Sequence, residues 1–196
     1  MSRFLDADRR QPADGKCLTE ILNLALSRSM DDDASTLPPD ASIRLLAESD
    51  LPTMASIYKT VFPTYPFPVH DVGYLAETMC GNVDYYGVEV DGELVALSSS
   101  EMDLEAGNSE MTDFATLPSW RGRGFAVHLL KRMEKDAPAR GIKTAYTIAR
   151  ALSPGMNITF AKRHYCFGGM LVNNTNISGK IESMNIWHKP LPSDNP

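Results

Sequence analysis

The sequence predicts an α/β (α+β) fold, in which a mixed, mostly antiparallel twisted sheet of about six to seven strands is flanked by about four helices. Three segments in which apolar and polar residues alternate follow one another between residues 85 and 117. Consecutive alternating segments separated by short turns indicate antiparallel neighbours in a sheet. Segments with helical spacing lie before and after this region, so helices can cover the sheet as separate layers.

Residues 1–41 differ from the rest of the chain and are predicted to precede the main domain, which spans residues 42–196. The segment GKCLTEILNLALSRSM predicts one short helix, because its apolar residues recur at roughly helical spacing: Leu18, Ile21, Leu22, Leu24, Ala25 and Leu26. The acidic, proline-containing segment DDDASTLPPDAS that follows is typical of a linker.

The main domain is predicted to begin with a strand and two helices. Ile43 and Leu45 alternate with polar neighbours, which predicts the strand. The segment LPTMASIYKTVF predicts a helix with Ser49 or Asp50 as its cap and Pro52 in its first turn. A second, short helix is predicted around DVGYLAETM.

A proline-rich loop, PTYPFPVH, connects these two helices. Its three prolines are incompatible with a regular helix or a central strand, so the loop is expected to be rigid. Tyr65 and Phe67 in this loop are candidates for lining a functional site, and a packed connector is the alternative.

A hairpin and a third strand follow. The segments YYGVEV and ELVALSSSEMD flank Asp91-Gly92, a dipeptide that favours a tight turn between antiparallel strands. The segment EMTDFATL then predicts the next strand.

The second half alternates helices and strands. The helix after RGRG has an apolar face formed by Phe125, Leu129, Leu130 and Met133. GIKTAYTIA predicts a strand, and PGMNITFAKRHY predicts a helix with Pro154 near its start. GGMLVNNTNI and GKIESMNIWHK predict two final antiparallel strands.

Composition argues against several classes of function. Nineteen Lys and Arg against 25 Asp and Glu give a net charge of -6, which argues against a surface for nucleic acid or an anionic membrane. No apolar run approaches the roughly 20 residues of a membrane helix, and the first ten residues lack the apolar core of a signal peptide. The three cysteines show no CxxC spacing and the four histidines are scattered, so we expect a cytoplasmic protein without a metal site.

The segment RGRGFA, between a strand with a proline and a helix, predicts an anion site. The first N–H groups of a helix lack internal partners, and the helix dipole favours negative charge there. Gly122 and Gly124 let phosphate oxygens approach the backbone, while Arg121 and Arg123 add positive charge. A pyrophosphate is the expected ligand, although the segment is neither a Walker A loop nor a Rossmann fingerprint.

Arg121 to Ala126 match the pattern [QR]-x-x-G-x-[GA], and the chain resembles the GNAT superfamily of N-acetyltransferases over residues 43 to 190. The resemblance implies the GNAT fold and acetyl-CoA as the donor. It implies that N–H groups of residues 122–126, including those of Phe125 and Ala126, hold the pyrophosphate. Backbone groups near Phe114 and Thr116 would pair with the pantetheine arm.

Six further segments resemble the β-lysine N6-acetyltransferases: FPTYPFPVHD, ALSSSEMD, EMTDFATLP, KTAYTIARALS, GMNITFAK and NNTNISGKIESMN. This resemblance implies acetylation of the terminal amine of β-lysine, or of a similar small diamino acid, in the synthesis of a compatible solute. Two alternatives stay open: a GNAT enzyme for another amine, such as a polyamine, lysine or a peptide N-terminus, and a catalytically silent acetyl-CoA-binding sensor. The oligomeric state also stays open, with a homodimer as one option.

Two carboxylates are candidates for the general base. Glu110 lies eleven residues before Arg121, where several superfamily members place a glutamate base. Asp113 is the second candidate, and strand alternation puts it on the face opposite Glu110 unless a bulge intervenes. Glu101 and Asp103 share a face of the neighbouring strand and could bind an ammonium group, with a solvated hairpin edge as the alternative.

The usual general acid is absent. Many family members carry a tyrosine in the pattern Y-x-x-x-G-F, and Phe160 stands at that position here. Tyr165, Tyr146 or solvent would have to protonate the departing thiolate.

The remaining candidates concern the acceptor. Arg150, at the end of a predicted strand, could bind a substrate carboxylate, with a surface salt bridge as the alternative. Asn174 belongs to a run of asparagines on a predicted strand, where asparagine is disfavoured, which indicates a hydrogen-bonding site or an edge. Tyr65 and Phe67 could cover the methylene chain of the substrate.

Overall fold

The computed structural model of the chain describes residues 7–31 and 36–192. Part of the predicted linker, residues 32–35, lies outside the described residues. Across the described parts of the chain, no helix is both long and apolar enough to cross a membrane.

A seven-stranded sheet forms the centre of the molecule, with strand order β1-β2-β3-β4-β5-β7-β6. Neighbouring strands are antiparallel except for β4 and β5, which are parallel, so the predicted fold class is confirmed. The strands are β1 (Ala41–Leu45), β2 (Val83–Val90), β3 (Glu93–Asp103), β4 (Asn108–Thr116), β5 (Thr144–Arg150), β6 (Cys166–Ile177) and β7 (Lys180–Pro190).

Five α-helices are described: α1 (Gly15–Ser27), α2 (Leu51–Val61), α3 (Val72–Cys80), α4 (Phe125–Asp136) and α5 (Pro154–Lys162). One core cluster joins α4 and α5 to the sheet through buried side chains such as Leu130 and Phe160. A second cluster joins α2 and α3 to the sheet through Met54 and Leu75. The sheet is therefore a middle layer with helices over each face.

The N-terminal helix α1 packs on the main domain. Ala25 is fully buried and Leu22 packs against the same core cluster as α5. The segment before α1 also contacts β6, because the Arg9 guanidinium donates to the Asn173 carbonyl and the Asn173 amide donates to the Arg9 carbonyl at 2.9 Å. Residues 7–27 thus cover part of the domain rather than extending away from it.

The parallel pair β4–β5 opens into a V. Pairing covers only three positions and ends at Glu110 and Tyr146, after which the two strands separate. From there β5 continues to pair with β7 as far as Arg150. The separation leaves one edge of β4 unpaired beyond Glu110 and creates the floor of a cleft.

Candidate active site

A cleft of about 590 Å³ occupies the opening between β4 and β5. Its walls come from the two strands, the start of α4, the first turns of α5 and the end of α2 with the loop behind it. The β6–β7 hairpin closes one side, since Ser178 N–H donates to the Thr64 carbonyl at 3.2 Å and Gly179 N–H to Thr64 Oγ1 at 2.6 Å. Ile177 and Met184 of this hairpin line the cleft.

The RGRG turn lies at one end of the cleft. Gly122 and Gly124 have φ angles of 79° and 78°, a left-handed conformation that other residues adopt only at a cost. Val127 and His128 N–H groups donate to the Gly124 carbonyl, so the N–H groups of Phe125 and Ala126 precede the first bonds of the helix. Both residues line the cleft, so their N–H groups are available to an anion there.

The two arginines of the turn have protein partners. The Arg123 guanidinium lies 4.4 Å from the centre of the Trp120 ring, and Arg121 Nε donates to the Thr116 carbonyl at 3.3 Å. Both side chains line the cleft and are exposed. The two arginines therefore add positive charge at this end of the cleft, while their contacts with Trp120 and Thr116 stabilise the turn.

The wall next to the turn is apolar. Phe114 of β4 meets Phe160 of α5 edge to face, with ring centroids 5.8 Å apart, and both line the cleft with Thr116. A narrow apolar wall beside an exposed strand edge suits an extended chain that pairs with that edge.

A β-bulge, the exception to strand alternation that the sequence left open, brings Asp113 to the same face of the sheet as Glu110. The β3–β4 register shifts between Leu97 and Ser99, and Asp113 has a φ of 53°. The Asp113 carboxylate accepts hydrogen bonds from Ser99 Oγ at 2.7 Å and from the Tyr65 hydroxyl. The extra residue of the bulge redirects every side chain after it.

Three carboxylates meet on this face. Glu101 and Glu110 are directly paired across β3 and β4. Burial, and then the charge of Asp113, raise the pKa of Glu101 to about 7. Burial also raises the pKa of Glu110 to about 7, opposed by the Ile148 N–H, which donates to this carboxyl group. Burial raises the pKa of Asp113, while hydrogen bonds from Tyr65 and Ser99 oppose the shift.

Such a cluster can accept a proton near neutral pH, and it attracts a cation. Among the described residues, no group of three or more His, Cys, Asp or Glu side chains is arranged to hold a metal ion. An ammonium group can donate hydrogen bonds to such carboxylates.

Comparison with known proteins identifies the family. The sequence profile described as the Acetyltransferase (GNAT) family matches residues 53–157. The chain belongs to the GNAT family of acetyltransferases. The predictions of this family, its fold and an acetyltransferase are thereby confirmed.

Two curated relatives carry the same name. The chain is 39% identical over 189 residues to a beta-lysine N(6)-acetyltransferase of Methanococcus maripaludis, covering 96% of this chain and 69% of the relative. It is 42% identical over 157 residues to a beta-lysine N(6)-acetyltransferase of Methanosarcina mazei, covering 80% of this chain and 58% of the relative. The chain thus spans well under the full length of both relatives.

A solved GNAT structure shows the same fold. The ribosomal L7/L12 alpha-N-protein acetyltransferase RimL, in complex with coenzyme A, matches with a TM-score of 0.67 at 14% identity. The match covers 81% of this chain and 98% of RimL. GNAT enzymes use acetyl-CoA, and the long cleft between β4 and β5 has room for an extended donor.

Neither tyrosine considered as an acid in this GNAT chain is among the described residues that line the cleft. Tyr165 is 4% exposed, packs against Phe160 with ring centroids 5.0 Å apart, and is not among the described residues that line the cleft. Burial and the neighbouring Glu134 raise the pKa of Tyr165. Tyr146 hydrogen-bonds to Glu110, and burial followed by that carboxylate raise the pKa of Tyr146.

The predicted acceptor residues separate into two groups. Tyr65 and Arg150 line the cleft, whereas Glu101 is not among its described lining residues. Phe67 is 55% exposed and Asn174 is exposed with its amide bonded to Thr175 Oγ1 at 3.0 Å, and the described lining does not include either of them. Asp103, on the same strand as Glu101, is exposed and accepts a hydrogen bond from the Ala106 N–H in the turn.

Two residues that hold site side chains were missed by sequence reasoning. Ser99 donates to Asp113, and Glu182 of β7 forms two hydrogen bonds with Arg150. A signal for Ser99 existed, because three consecutive serines interrupt an otherwise apolar strand in ALSSSEMD. Glu182 had no such signal, since a lone glutamate in a strand is ordinarily a solvent-facing residue.

Proposed function

We propose that this chain transfers the acetyl group of acetyl-CoA to the terminal (N6) amine of β-lysine or of a closely similar small diamino acid. The observation that carries the proposal is one cleft that runs from the start of α4 to Asp113, the member of the carboxylate cluster that is among its described lining residues. Glu101 and Glu110 adjoin Asp113 but are not among those lining residues. The names of the two curated relatives support β-lysine as the acceptor.

The donor would lie along β4. N–H groups at the start of α4 would hold its pyrophosphate, with Arg121 and Arg123 adding charge. The unpaired edge of β4 near Phe114 and Thr116 would pair with the pantetheine arm like an added strand. The thioester would then lie close to Glu110, where β4 and β5 separate.

The acceptor amine arrives as an ammonium, since its pKa in water is about 10.4. Asp113 and Glu101 would hold the ammonium, and Glu110 would take its proton directly or through a water molecule. The neutral nitrogen then attacks the thioester carbonyl, so that a C–N bond forms and the C–S bond breaks. Tyr65 would cover the methylene chain, because its ring lines the cleft while its hydroxyl is bonded to Asp113.

The departing thiolate would take its proton from water. Phe160 is fully buried in the cleft wall and has no proton to give, and Tyr165 lies behind it. A thiol has a pKa of about 8.5, so protonation by solvent is fast enough not to require an enzyme acid.

The product would carry one positive charge fewer than β-lysine and would be a net-neutral zwitterion, as suits a compatible solute. The three cysteines Cys17, Cys80 and Cys166 are free and exposed, which fits a reducing cytoplasm. The named enzymatic relatives favour this activity over another acceptor amine or a silent acetyl-CoA sensor.

A substrate panel tests the proposal. Thiol release from acetyl-CoA would be measured with β-lysine, α-lysine and spermidine, and mass spectrometry of the product would locate the acetyl group. We expect the highest kcat/KM with β-lysine and acetylation at N6. Faster turnover of spermidine would contradict the proposed acceptor, and no thiol release with any amine would contradict catalysis.

A further inference from the structure

Arg150 lies on a different element of the cleft from the two other positively charged side chains that line it. The charged side chains among the described lining residues are Asp113, Arg121, Arg123 and Arg150. Arg121 and Arg123 belong to the turn at the pyrophosphate end. Arg150 ends β5, on the strand opposite Asp113 across the cleft.

A buried glutamate holds Arg150 in place. Arg150 Nε donates to Glu182 Oε2 at 2.9 Å, and Nη2 donates to Oε1 at 2.8 Å. The Glu182 side chain is 1% exposed and that of Arg150 is 33% exposed. The pair therefore presents one end of the guanidinium to the cleft and hides the carboxylate.

Arg150 has donors left over. A guanidinium carries five N–H groups, and the pair with Glu182 uses one on Nε and one on Nη2. The two N–H groups on Nη1 and the second N–H group on Nη2 can still donate. A fixed, planar guanidinium with spare donors is suited to bind a carboxylate.

The position of Arg150 matches the length of a diamino acid. Tyr146 is the pairing partner of Glu110, and Arg150 lies four residues further along β5, on the same face of the sheet. The Cα atoms of Tyr146 and Arg150 are thus about 13 Å apart along β5. A chain of six bonds between carboxylate and terminal amine spans about 7 Å, and the side chains of Glu110 and Arg150 reach over the remainder.

We propose that Arg150 binds the carboxylate of the acceptor and that Glu182 is a positioning residue, so that the pair selects amino acids over plain diamines. This inference rests on the proposed function, because it assigns the other end of the same acceptor. Glu182 acts only through Arg150, since its own carboxylate is enclosed.

The test compares two substrates that differ by one group. 1,4-Diaminopentane is β-lysine with hydrogen in place of the carboxylate. We expect wild-type kcat/KM to favour β-lysine by about tenfold to hundredfold, as expected for a charge-assisted bidentate contact. In Arg150→Met this ratio should fall to about one, through a higher KM for β-lysine, with KM for acetyl-CoA unchanged.

Glu182→Gln separates positioning from binding. The guanidinium stays but loses its charged partner, so KM for β-lysine should rise by about threefold to tenfold with kcat less affected. Kinetics with 1,4-diaminopentane should change little.

Two further variants keep the test decisive. Arg150→Met leaves the Glu182 charge buried without a partner, which can prevent folding. The double variant Arg150→Met/Glu182→Met removes both charges and should show the same loss of selectivity. Arg44→Met is the matched control, because Arg44 binds Asp50 in a similar two-point pair, at 2.7 and 2.8 Å, on the edge strand β1 away from the cleft.

The outcomes are distinct. Equal losses of kcat/KM for both substrates in the Arg150 variants would overturn the inference and leave the proposed function standing. A wild-type enzyme without preference for β-lysine over 1,4-diaminopentane would overturn it as well. A wild-type chain that acetylates neither substrate would refute the proposed function itself.

Discussion

Glu110 is paired with Tyr146 at the last position where β4 and β5 still pair, and its carboxyl group has a pKa raised to about 7 by burial. A general base must be ionised to act. We therefore expect kcat to rise with pH through about 7 and then to level off, well below the range in which a free amine itself titrates.

Glu110→Gln should lower kcat by about a hundredfold to ten-thousandfold and remove the inflection near pH 7. Steady-state kinetics between pH 5.5 and 9 would measure both effects. Asp103→Asn is the control, because Asp103 lies exposed on the neighbouring strand and should leave the profile intact. A Gln variant that kept the inflection would assign it to another group, with Glu101 the first candidate.

The side-chain direction of Asp113 depended on a bulge, the exception to strand alternation that the sequence left open but could not decide. Alternation along EMTDFATL predicts that Asp113 points away from Glu110. The bulge reverses this, because Asp113 adopts a left-handed φ of 53° and its carboxylate is held by Ser99 and Tyr65. Ser99 lies 14 positions and Tyr65 lies 48 positions from Asp113 in the chain. The alternation of residues within one strand cannot predict contacts with residues so far away in the sequence.

The turn before α4 is the element whose conformation the sequence predicted best. Gly124 adopts a φ of 78° as the cap of the helix, and only glycine accepts such an angle at little cost. Gly124→Ala should lower the free energy of unfolding by about 1–2 kcal/mol and raise KM for acetyl-CoA.

Gly92→Ala supplies the matched control for the turn. Gly92 has a φ of 81° in the β2–β3 hairpin, away from the cleft, with open space around the added Cβ. In a denaturant titration, Gly92→Ala should lower the free energy of unfolding by about as much as Gly124→Ala, but it should leave KM for acetyl-CoA unchanged. An equal rise of KM in both variants would show that the effect of Gly124→Ala reflects general destabilisation.

At the scale of the whole molecule, the packing of α1 against α5 links the N-terminal residues to the main domain. Ala25 is fully buried in this contact, while Leu24 is 43% exposed on the same helix. Ala25→Asp would bury a charge without a partner and should lower the free energy of unfolding by about 2–4 kcal/mol. Leu24→Asp should cost less than about 1 kcal/mol.

Chemical denaturation of the two variants measures the difference. Equal stability of both would show that α1 does not pack on the domain in solution. A selective loss in Ala25→Asp would instead support treating residues 7–27 as part of the folded unit, beyond the boundary at residue 42 that composition predicts.

The sequence by itself determined the order of helices and strands along the chain, the hairpin at Asp91-Gly92, the glycine turn before α4 and the family. These features depend on alternation, helical spacing and glycine conformations, which are set by residues close together in the chain. Tertiary structure alone decided that Glu101, Glu110 and Asp113 meet, that Glu182 holds Arg150, and that Tyr165 lies behind Phe160. Such contacts join residues on different elements, and their geometry follows from a bulge, a strand separation and core packing that no local pattern records.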